Sequence, residues 1–131
     1  MDIKLQANVI MLGVKDVDRA KKFYVEGMGC EIEQDYPGFV RLGLGAGSSA
    51  LALYEWDAVA QEAGVSATGS GFRGFSFHFL ADSRDQVDEA MRTAVAAGAT
   101  VLREPTEAEW GGYDAYFTDP DGYIWKVATA S

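Results

Sequence analysis

WGGYDAYFTDPDGYIWKV, residues 110–127, is the stretch from which the fold can be read. Tyr113 to Thr118 is rich in aromatic residues and fits a strand. Asp119-Pro120-Asp121-Gly122 is turn chemistry: proline presets φ, the aspartates bond locally, and glycine accepts positive φ. Tyr123 to Val127 then returns as a second strand, so the stretch predicts a β-hairpin. The direction of Lys126 on that strand bears most on function. An ammonium facing a cavity must be paired or wetted. One facing outward simply reaches solvent.

Upstream of the hairpin, Phe75 to Ala81 predicts a strand and Ser83 a helix N-cap, with Gln86 at capping-box spacing. Val87, Ala90, Met91, Ala94 and Val95 form the helix's apolar stripe, and Gly98 ends it. Ala99 to Arg103 follows as a short strand and Pro105 to Gly112 as a loop. The first half repeats this order. Leu5 to Val14 is an apolar strand; Asp16 or Asp18 caps a helix carrying Ala20, Phe23 and Tyr24, ended by Gly27 and Gly29. Cys30 to Gln34, Phe39 to Leu44 and Ala50 to Glu55 are strands, with turns at Pro37-Gly38 and the GAGSS stretch. Asp57 caps a short helix ending at Gly64.

The chain therefore reads β-α-β-β-β twice, a repeat of about 65–70 residues that suggests duplication into a pseudo-symmetric fold. The 131 residues suit one domain. Module 1 spans about 1–65, module 2 about 75–131, and the Gly/Ser-rich connector about 65–74 joins them.

Composition narrows the function. Twenty acidic against eleven basic residues give a net charge of −9, which disfavours nucleic acid as a partner and is compatible with a cationic ligand. No apolar run approaches the roughly 20 residues that span a bilayer. The N-terminal MDIKLQANVIMLGV lacks the basic region and cleavage site of a signal peptide. Cys30 is alone, so no intrachain disulfide forms, and a cytoplasmic location is expected. Cys30 itself reads as inert packing. Asp119 and Asp121 read as turn residues, too few ligands for calcium.

GVKDVDRAKKFY, the LALY strand, DSRDQVDEAMRTAVAAGATVLREP and YFTDPDGYIWKV together resemble the vicinal oxygen chelate superfamily. That superfamily includes glyoxalase I, extradiol dioxygenases, and fosfomycin- and bleomycin-resistance proteins. The resemblance implies an α+β fold, with two βαβββ modules forming a curled, barrel-like mixed sheet around a central cavity. It also implies a homodimer, with modules paired within a chain or swapped between chains.

The superfamily's enzymes hold a divalent metal through the first and last strands of each module, usually with His, Glu or Gln. Carried over by position, those slots fall on Val9, Ala52, Ser76 and Lys126. Valine and alanine have no donor, serine is a poor ligand unless ionised, and a lysine ammonium repels a cation. A shift of one residue in register restores no ligand set. The expectation is therefore no metal and no cofactor.

Strand parity places Val9, Met11, Ala52, Tyr54, Ser76, His78, Ile124 and Lys126 on the slot-bearing face. Trp56, Trp110 and Tyr113 sit near strand ends, where they can rim an opening. The candidate ligand-binding residues are Met11, Tyr54, Trp56, Ser76, His78, Trp110, Tyr113 and Lys126. Such an apolar and aromatic surface with few polar groups suits a small molecule. Met11 and Ile124 also read as plain core, and Tyr54, Trp56 and Trp110 as packing.

Three functions fit. The first is metal-free sequestration of an aromatic or cationic compound such as an antibiotic, as in the bleomycin-resistance branch. The second is a metal-free, glyoxalase-like enzyme with His78 and Lys126 as catalytic groups for proton transfer or enolate stabilisation. The third is a lyase or dioxygenase with a metal on atypical ligands such as Glu55 or Asp114.

Overall fold

The computed structural model describes residue 3 and residues 5–130. The chain forms two compact units, Met1–Val25 with Gly29–Thr68, and Glu26–Met28 with Gly69–Ser131. In the first, β1 (Val9–Val14) leads into α1 (Val17–Lys21), which continues as a π-helical turn over Lys22–Gly27. Strands β2 (Glu31–Tyr36), β3 (Phe39–Gly43) and β4 (Ala50–Glu55) follow, then α2 (Trp56–Ala63). The sheet order is β1-β4-β3-β2, with β1 parallel to β4 and the other pairs antiparallel. The second unit repeats it: β5 (Phe77–Leu80), α3 (Arg84–Ala97), β6 (Thr100–Glu107), β7 (Tyr113–Thr118) and β8 (Ile124–Thr129), in order β5-β8-β7-β6. The fold is thus α+β, two similar βαβββ modules. Each has an open, curled, mixed sheet of four strands that does not close into a barrel.

Alternation along the strands gives each sheet a helix-covered face. In the first unit Leu12, Val14, Val40, Leu42, Leu51 and Leu53 are buried on that face, together with Ala20, Phe23 and Tyr24. In the second, Ala115, Phe117 and Val127 are buried with Val87, Met91 and Ala94 of α3. Val95, expected in the same stripe, is 50% exposed.

Several boundaries differ from the sequence expectation. The first strand starts at Val9 rather than Leu5, because its partner starts at Ala50 and that residue's N–H already closes on the Asn8 carbonyl. Glu55, not Asp57, caps α2: the helix starts directly off β4, so the Glu55 carboxylate accepts from the Ala58 N–H at 3.0 Å. Strand β6 runs on through Pro105 to Glu107, where a loop was expected. Proline survives there because β6 is an edge strand and two register shifts, at Val101/Arg103 and Arg103/Thr106, absorb it.

The caps at Asp16, Ser83 and Gly98 form as expected; Ser83 Oγ accepts from the Gln86 N–H at 3.1 Å. The hairpin also forms. Asp119 is buried in its turn, and its Oδ1 accepts the N–H groups of Asp121 and Tyr123, both at 2.9 Å. Asp119→Ala is expected to lower unfolding free energy by about 1–2 kcal/mol, since it strips the acceptor from two turn N–H groups. A urea melt of the variant measures this.

Candidate functional site

One row of side chains crosses the open face of the second sheet. His78 on β5 pairs in register with Lys126 on β8, which pairs with Tyr116 on β7, which pairs with Arg103 on β6. Asp114 lies diagonally between Lys126 and Arg103. Its side chain is 3% exposed, whereas those of Lys126 and Arg103 are 20% and 48% exposed. The Asp114 Oδ1 accepts from Arg103 Nη2, and its Oδ2 lies 3.7 Å from Lys126 Nζ. A buried carboxylate needs such partners, since desolvation otherwise disfavours its charged form.

Aromatic rings border these charges. The Arg103 guanidinium lies 4.9 Å from the Tyr116 ring centre, and Lys126 Nζ stands 5.8 Å from Tyr116 and 5.9 Å from Trp110. These are cation–π distances. Trp110 reaches this place because Gly112 has no side chain: a Cβ there would overlap the indole ring and the Thr129 carbonyl. Ser76, just ahead of β5, sets its Oγ 3.2 Å from His78 Nε2, and His78 is exposed.

The structure thus brings Ser76, His78, Trp110 and Lys126 to one face of one unit. Tyr113 lies elsewhere. It occupies the other strand parity, and its hydroxyl donates to Asp88 Oδ1 on α3 at 2.7 Å. That bond holds the phenol above its ordinary pKa. Tyr113 borders an open cleft between α3 and β6 with Asp88, Met91, Arg92 and Val95, on the helix side of the sheet.

Met11, Tyr54 and Trp56 belong to the first unit. Met11 pairs with Ala52, and Gly13 with Tyr54, on its open face, where the Tyr54 ring meets Phe39 edge-on at 5.9 Å. Ala52 is buried and Met11 is 40% exposed. Trp56 follows the last residue of β4 directly and opens α2; its indole N–H donates to the Ala67 carbonyl at 2.9 Å, and Lys15 Nζ lies 4.5 Å from its ring centre.

Arg103 and Tyr116 were not read from the sequence as site residues, and Asp114 was read only as a conceivable metal ligand. Arg103 has the parity of the helix side when counted from Thr100; the register shift after Val101 turns it to the open face. Pro105 was the available signal, since a proline in a strand marks an edge or a bulge.

The donor set does not fit a divalent metal. Val9, Ala52, Ser76 and Lys126 offer one hydroxyl and one ammonium, and the Lys126 ammonium lies beside the Asp114 carboxylate. Among the described residues, no three His, Cys, Asp or Glu side chains form a group able to hold a metal. Cys30 belongs to the first unit, and burial raises its thiol pKa. Because burial disfavours the reactive thiolate, maleimide is expected to label Cys30 more slowly in the folded than in the denatured chain at pH 8.

No helix among the described residues is long and apolar enough to cross a membrane. The family model described as the glyoxalase/bleomycin resistance protein/dioxygenase superfamily matches residues 6–127. No curated protein matches. Among solved structures, a glyoxalase-related enzyme from Fulvimarina pelagi is 29% identical, with TM-score 0.83 over 95% of this chain and 87% of that one. A glyoxalase/bleomycin resistance protein/dioxygenase family enzyme from Burkholderia phytofirmans PsJN is 24% identical, with TM-score 0.83 over 97% and 100%. A lactoylglutathione lyase from Agrobacterium tumefaciens is 23% identical, with TM-score 0.67 over 92% and 90%. At those identities the last two speak for the fold alone.

Proposed function

The chain belongs to the glyoxalase/bleomycin resistance protein/dioxygenase superfamily, and on that premise we propose that it binds a small aromatic compound without a divalent metal. One observation carries this reading. At the last-strand slot the chain has Lys126, whose ammonium lies 3.7 Å from the buried Asp114 carboxylate and beside two aromatic rings. A cation held in that place disfavours a metal ion and leaves a polar anchor among flat apolar surfaces, the make-up of a small-molecule site. Sequestration, as of an antibiotic, requires affinity and no chemistry. The same protein is proposed to be cytoplasmic, in keeping with its one unpaired cysteine, and homodimeric. Light scattering after size exclusion tests the dimer.

The test of binding is a calorimetric titration with planar aromatic compounds, bleomycin-like antibiotics among them, in buffer containing a chelator. Saturable heat is expected from at least one planar compound. Binding that appears only after a divalent metal is added would overturn the reading.

A second reading draws on the register of His78 with Lys126, which sets an imidazole and an ammonium side by side on one face. Such a pair suits metal-free proton transfer beside a stabilised enolate. It requires turnover that Lys126→Met abolishes in chelator-treated protein, whereas sequestration shows no turnover at all.

A further inference from the structure

We infer that the open face of the second unit selects an anionic planar ligand, of the aromatic carboxylate class. The inference rests on the small-molecule reading above and specifies the charge of what is bound. Two cations, Arg103 and Lys126, share one buried carboxylate, so the row keeps a positive excess on a chain of net charge −9. The two cations are not equivalent. Arg103 is hydrogen-bonded to Asp114 Oδ1 and lies against Tyr116. Lys126 approaches Oδ2 only to 3.7 Å, beyond hydrogen-bond length, so its ammonium keeps donors for another acceptor.

An anion meeting Lys126 gains a charge-assisted hydrogen bond without displacing the Arg103–Asp114 pair. His78, next in register, stands on the other side of Lys126 from Tyr116 and adds a ring nitrogen. Trp110 and Tyr116 flank the ammonium, so a ligand whose carboxylate reaches Lys126 finds ring surface to stack on. An ammonium ligand in the same place meets two like charges and a carboxylate already hydrogen-bonded to arginine. The acidic remainder of the chain acts at longer range and is screened by salt, whereas contact charges in a partly desolvated row are screened less.

The experiment uses three probes of one shape and different charge: 2-naphthoate, 2-naphthalenemethanol and 2-naphthylmethylammonium, each titrated calorimetrically into the full chain at physiological salt. The expected order is naphthoate tightest and the ammonium probe weakest. Lys126→Met should weaken naphthoate at least about tenfold, as loss of a hydrogen bond to a charged group does. It should leave the alcohol within a factor of about two, since methionine keeps a similar apolar length. Lys126→Arg keeps the charge and should restore naphthoate binding, which separates loss of charge from loss of fold. Equal affinity for all three probes, or an ammonium probe that binds tightest, would overturn the charge assignment while leaving aromatic binding intact. No binding of any probe overturns the charge assignment; saturable binding of another planar compound in the wider titration would still support the small-molecule reading.

Discussion

Asp114→Ala is expected to unfold at markedly lower denaturant than the parent chain, with a loss of about 3 kcal/mol. The carboxylate is buried while Arg103 and Lys126 are only partly so, and among the described residues it is the one acidic group paired with both. Removing it leaves a guanidinium and an ammonium facing each other across the space it filled. Arg103, nearly half exposed, can turn to water, which keeps the loss below that of a fully buried triad. Lys126 has less freedom, because Trp110 and Tyr116 flank it. Asp114→Asn keeps the shape and one acceptor, so it should recover part of the stability. A urea titration of both variants measures the difference. An alanine variant as stable as the parent would mean that the pair contributes nothing net.

Gly112→Ala is expected to cost about 2 kcal/mol, the scale of forcing extra volume into a packed place. Here the obstruction is backbone as well as side chain: the added methyl overlaps both the Trp110 ring and the Thr129 carbonyl at the end of β8. The ring can move; the carbonyl belongs to the ladder with Tyr113 and cannot move without disturbing that pairing. Trp110 should therefore leave its place beside Lys126. Its indole should become more solvent-exposed, with a red-shifted emission in the Trp56→Phe, Trp125→Phe background. Ligand affinity should fall with it, because one of the two rings beside the ammonium is displaced.

The repeat was legible because each half announces itself through local chemistry. Asp16 and Ser83 are caps, Gly98 is a left-handed helix end, and Asp119 to Gly122 form a turn closed by short-range bonds from Asp119 to Asp121, Gly122 and Tyr123. The slot-bearing faces were legible for the same reason: β1, β4 and β8 are regular, so parity counts correctly from one end. Parity failed on β6, where a bulge turned Arg103 to the face of Tyr116. It also gave no warning about Asp114, an acidic residue in an aromatic strand whose burial depends on two partners from other strands. Tyr113 shows the opposite failure. Its place at a strand end suggested a rim, but its parity carries it to α3 and Asp88. Element boundaries moved wherever a tertiary partner set the length, as at Val9 and Glu107.

The most direct test of metal-independent binding is elemental analysis of protein purified without chelator, followed by calorimetric titration with manganese, nickel and zinc ions. The slot residues Val9, Ala52, Ser76 and Lys126 predict less than stoichiometric metal after dialysis and no tight saturable heat from any of the three. One tightly held divalent ion per chain, retained through dialysis and removed only by a chelator, would contradict this. It would place the chain with the metal-dependent chemistry of its superfamily, on ligands other than these four.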